Sequence, residues 1–106
     1  MTSNLSDSQK SWIAREHDRS AGMEIRLMKQ TVVLPWSQFL YADGTNEKIQ
    51  IAFSTHDIAI SGYALGSLLE GLAEQRVSVM QEPVRAERFS TDPGPRITSI
   101  SIRRVE

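Results

Sequence analysis

Phe39-Leu40-Tyr41-Ala42-Asp43-Gly44-Thr45-Asn46-Glu47-Lys48-Ile49-Gln50-Ile51-Ala52-Phe53 is the stretch that decides the fold class of this chain. Two runs of β character flank Asp43-Gly44-Thr45-Asn46. An Asp-Gly pair between alternating apolar runs reads as a tight hairpin turn, because glycine accepts positive φ at no steric cost. After the turn, Ile49, Ile51 and Phe53 share one face and Lys48, Gln50, Ala52 and Ser54 the other, the period of two that marks a half-buried strand. The first strand is read over 37–42 and its partner over 47–54.

Working outward, Thr55-His56 turns the chain and residues 57–61 form a short strand with Ile58 and Ile60 inward. A change of period follows. Leu65, Leu68, Leu69 and Leu72 fall at i, i+3, i+4 and i+7, one stripe of a helix over about 63–75. Ser61 is the expected N-cap, Glu70 and Glu74 lie on the wet side, and Gly66 and Gly71 allow close packing on a sheet. Residues 76–80 return to strand period and end before Pro83. Residues 84–95 read as loop, since Asp92-Pro93-Gly94-Pro95 cannot be regular structure. A last strand runs from Ile97 to about Val105, with Ile100 and Ile102 in and Ser99, Ser101 and Arg103 out.

Upstream, residues 24–28 alternate and 31–34 are β-branched. Pro35 cannot donate to a ladder, which places an edge, a bulge or a bend there. Residues 1–22 read as an N-terminal arm, mostly polar, with Leu5, Trp12 and Ile13 as its few large apolar groups, and with a short helix from Ser6 or Ser8 to about Arg19. The remainder, 23–106, is one α+β domain. The expected fold is a mainly antiparallel curved sheet or open barrel of about six to seven strands, with one amphipathic helix between late strands.

One helix is a small lid for that much apolar pleated surface, and a sheet with an apolar face needs a cover. The surplus is expected to be hidden by curling, by the N-terminal arm, or by a second copy. Trp12, Trp36, Phe39 and Tyr41 are the interface candidates, because large aromatics are enriched at interfaces. Self-association, a dimer first, is the expected mode of partnership.

Composition narrows the function classes. With 40% hydrophobic and 24% charged residues the chain is globular, not disordered. The absence of cysteine excludes disulfides, thiolate metal sites and cysteine nucleophiles and favours a reducing compartment. No apolar run spans a bilayer and no signal-like start is seen. The expectation is a cytoplasmic protein with no membrane partner. Net charge is −1, but the charge is uneven: Lys/Arg against Asp/Glu stand at five to four in 1–36, two to six in 37–82 and five to three in 83–106. Arg85, Arg88, Arg96, Arg103 and Arg104 therefore form the candidate anion- or nucleic-acid-binding set, although overall acidity argues against nucleic acid as the main partner.

Candidates for catalysis are few. His17-Asp18 and His56-Asp57 each place an imidazole beside a carboxylate, and His56 with Asp57 is the default catalytic centre. Two histidines about forty residues apart make no metal signature, and Asp43-Gly44-Thr45-Asn46 lacks the length of an EF-hand loop. No nucleophile elbow, dinucleotide fingerprint or phosphate loop occurs. The sequence points to no cofactor and more to an interaction or ligand-binding domain than to an enzyme. A nucleic-acid or anion-binding module is the alternative, and an enzyme of unknown type the third reading.

Overall fold

The computed structural model describes residues 11–15, 20–83 and 94–105. The strands are β1 (Trp12–Ala14), β2 (Gly22–Arg26), β3 (Thr31–Pro35), β4 (Phe39–Gly44), β5 (Lys48–Phe53), β6 (His56–Tyr63), β7 (Val77–Gln81) and β8 (Arg96–Arg104). A 3-10 turn, Trp36–Gln38, joins β3 to β4, and the helix α1 spans Gly66–Ala73 between β6 and β7. The fold is α+β, mostly strand, with antiparallel pairing predominant.

The expected hairpin is present as β4–β5, with Ala42 opposite Ile51 and Gly44 opposite Ile49. Its turn closes later than the Asp-Gly reading placed it. The Thr45 N–H donates to Lys48 O at 2.7 Å, and Thr45 Oγ1 accepts from the Glu47 and Lys48 amides. A threonine that can cap the turn amides itself moves the reversal to Asn46-Glu47. β6 follows antiparallel to β5, with the inward Ile58 and Ile60 opposite Ile51 and Ile49.

Four expectations are corrected. First, there is no single curved sheet or barrel of six to seven strands. Eight strands form two four-stranded sheets, ordered β1-β7-β2-β3 and β4-β5-β6-β8. Second, the meander is broken by a parallel pair, with Ile25 of β2 beside Met80 of β7. Third, Trp12–Ala14 is a strand paired to β7, not part of a helix; residues 6–10 and 16–19 of that expected helix, His17-Asp18 among them, lie outside the described residues. Fourth, His56 begins an eight-residue β6 instead of turning the chain, and Ser61 stays inside it, paired with Lys48 and Ser99. The helix is therefore capped by Leu65 with no side-chain hydrogen bond. The leucine period was right, but the serine amide and carbonyl had better partners in the ladder than at a helix start.

The two sheets and the helix share one apolar core. Met23, Ile25, Leu34, Val77 and Met80 from the first sheet join Ile49, Ile51, Phe53, Ile58, Ile60, Ile97 and Ile100 from the second in one buried cluster with Leu65, Leu68 and Leu72. α1 lies against β4 of one sheet and β7 of the other, so its leucines close the space between them. Burying such a side chain contributes on the order of 1.5–3 kcal/mol before entropy is counted. Gly71 lets the helix approach: a Cβ there would sit 3.0 Å from Val77 Cγ2.

Between the sheets, Trp36 is 5% exposed and stacks edge-on to Phe39 at 5.0 Å, with Phe53 at 5.7 Å. Its indole N–H donates to Ser20 Oγ at 2.8 Å, and that hydroxyl in turn donates to Val77 O at 3.1 Å. Buried polar groups need such partners. Ser20, 8% exposed, thus ties the leading segment, β7 and the aromatic cluster together.

Candidate functional site

His56 and Asp57 are neighbours at the start of β6. Successive strand residues point to opposite faces, and Asp57 is taken by Arg103 on the neighbouring strand, Oδ2 to Nη2 at 3.0 Å. The His56 ring lies 2.9 Å from the hydroxyl of Thr55, through Nδ1. Among the described residues no group of three His, Asp or Glu side chains could hold a metal ion.

The described arginines do not converge either. Arg96 stacks over the Tyr63 ring, 4.7 Å from its centroid, at the start of β8. Arg103 sits at the far end of the strand, roughly 20 Å away at about 3.3 Å per residue. Arg104 alternates to the other face of the sheet. Arg85 and Arg88 lie outside the described residues.

Of the aromatic interface candidates, Trp36 is spent in the core and Phe39 is packed against it. Trp12 is half-buried, and Tyr41 is 54% exposed. A shallow depression of about 350 Å³ on the outer face of the second sheet is lined by Asp43, Lys48, Gln50 and Ser61 among others. It brings together one carboxylate, one ammonium and neutral polar groups, with no activated nucleophile. No helix among the described residues is long and apolar enough to cross a membrane.

The strand edges differ more than the faces do. An unpaired edge is a row of free N–H and C=O groups, and natural proteins blunt such edges. β1 has three residues. β3 ends in Pro35, which has no N–H. β4 has α1 lying against it. β8 has nine residues and no proline, and β6 is its one neighbour in the described sheet.

Which groups of β8 face outward follows from the ladder. Val105 N–H donates to Thr55 O at 2.9 Å, in the same register that sets Arg103 opposite Asp57 and Ser101 opposite Ala59. Residues of an antiparallel pair alternate between exchanging hydrogen bonds and turning their groups away. Ser99, Ser101 and Arg103 therefore bond to β6, and the N–H and C=O groups of Ile100, Ile102 and Arg104 point to the open side. The Gly62 N–H donates to Glu47 O at 2.9 Å, which fixes the complementary alternation on β6. At the start of the strand the edge is already capped, since Ile97 N–H donates to Ser11 Oγ at 2.9 Å. Among the described residues the open edge thus runs over about 98–104.

Sequence reasoning assigned Ile100 and Ile102 to the core by their side chains. A usable signal was present: a long proline-free strand period at the end of the ladder, with arginines at both ends. No known protein-family model matches the sequence, and the searches of curated proteins and of solved structures give no match.

Proposed function

We propose that this chain is a non-enzymatic interaction domain whose working surface is the open edge of β8. The supporting observation is the contrast in length among the four sheet edges of the described residues: β8 has nine residues, against three for β1, five for β3, which ends in Pro35, and six for β4, which α1 contacts. Addition of an extended segment to such an edge supplies main-chain hydrogen bonds for affinity, while side chains on alternate faces supply selection. Arg96, Arg103 and Arg104 border the edge and bias it against strands that carry cations.

The test is an amide NMR titration of the full chain with a panel of extended nonapeptides of differing charge. Shifts concentrated on Ile100, Ile102 and Arg104, and lost in Arg104→Pro, are the expected result. Shifts centred on the depression at Asp43 and Gln50, with the β8 amides unmoved, would replace this reading with a small-ligand one.

A further inference from the structure

Resting on that reading, we infer that the strand β8 receives is β8 of a second copy, antiparallel, with Ser101 facing the partner's Ser101 across a two-fold axis. Among the described residues the open part of the edge is 98–104, because Ser11 occupies the Ile97 amide. Outward-pointing groups must meet outward-pointing groups, which leaves few registers.

In the central one, Ile100 lies opposite the partner's Ile102, and Ile102 opposite the partner's Ile100. Ser99 lies opposite the partner's Arg103, and Thr98 opposite the partner's Arg104. No arginine faces an arginine. Sliding two residues one way sets Ile102 against the partner's Thr98, at the bulge, so that only one of the two inward isoleucines meets an isoleucine. Sliding two residues the other way sets the inward Ile100 against the partner's Arg104. The strand is therefore complementary to itself in one register.

The same join completes the core. Ile100 is 7% exposed, but Ile102, next along the same inner face, is only half-buried at the end of the apolar cluster. In the proposed register each Ile102 is covered by the partner's Ile100, and the two four-stranded sheets become one of eight strands. A two-fold interface of this kind uses one patch twice and closes on itself. It satisfies the open edge without leaving another.

The chain has no cysteine, so a single introduced thiol reports the register. Facing residues in a non-hydrogen-bonded antiparallel pair have Cα atoms about 4.5 Å apart, within disulfide range. Ser101→Cys is expected to oxidise to a covalent dimer about tenfold or more faster than Ser54→Cys, an exposed control outside the seam, because pairing raises the effective thiol concentration. Ser99→Cys, which faces the partner's Arg103, is expected to behave like the control.

Arg104→Pro removes an amide from both ends of the seam and is expected to weaken the dimer in sedimentation about tenfold. Its melting temperature, taken at a concentration where the wild type is monomeric, checks that the fold is intact. Equal cross-linking of Ser101→Cys and Ser54→Cys, with a monomer at several hundred micromolar, overturns the second copy as occupant. If peptides still shift the Ile100, Ile102 and Arg104 amides, the edge reading survives that loss. If nothing shifts them, both fall.

Discussion

The two sheets hold four strands each and contribute to one core, yet they are built in opposite ways. The second sheet begins as β4-β5-β6, consecutive strands joined by tight turns, and adds β8 at its end. The first sheet draws β1, β2 and β3 from the leading third and β7 from after the helix, with a parallel pair in its middle. Local pairing pays loop-closure entropy only over short turns, while the β1–β7 and β2–β7 pairs close loops of more than fifty residues. The edges of the first sheet are short or proline-ended. Three strands of the second sheet pair locally, and its last strand keeps a long edge open among the described residues.

Breaking the second sheet should do the most damage. β6 and β8 meet at a bulge beside Gly62, where a Cβ would lie 2.2 Å from Arg96 O. Gly62→Val has no flexible neighbour to displace, and we expect a loss beyond about 4 kcal/mol, seen as failure to give a cooperative melt. Next is the helix that spans both sheets: Leu68→Ala, at a fully buried position, should cost about 2–5 kcal/mol in urea unfolding. Because α1 touches β4 and β7, amide protection should fall in both sheets together.

Ser20→Ala sharpens the difference. It strands the Trp36 indole N–H and breaks the tie to Val77, and should cost about 1–3 kcal/mol. The loss of hydrogen-exchange protection should be greatest in β7 and β1, with β5 and β6 little changed. The smallest effect belongs to Arg103→Ala. The ion pair with Asp57 has an arginine side chain 78% exposed, and such pairs contribute less than about 1 kcal/mol. A larger loss in dilute solution would mean that Arg103 does something within the monomer beyond pairing with Asp57.

What could be read from the residues follows the same division. The β4–β5 hairpin, the inward Ile58 and Ile60, the leucine stripe and the sidedness of β8 are all local periodicities, and the structure keeps them. Pro35 at the end of an edge strand was also legible, because proline's missing N–H is a local fact. The split into two sheets was not. Nothing near Trp12 says that its partner is Met80, and nothing near Ile25 says that its neighbour strand runs parallel. Ser20 was invisible for the same reason, since its value comes from Trp36 and Val77. At His56-Asp57 a strand separates side chains that adjacency in sequence suggests are joined. The candidate edge was half legible: its strand was placed correctly, but its bareness depends on what the other seven strands do.

The most direct test of the central claim compares the two sheets within one sample. Amide hydrogen exchange is measured on the full chain at low micromolar and at several hundred micromolar concentration. The outward amides of Ile100, Ile102 and Arg104 on β8 should exchange quickly in the dilute sample and become protected in the concentrated one. Those of Thr31 and Val33, which point off the β3 edge, should stay fast in both. Identical exchange of the β8 amides at the two concentrations would contradict the account.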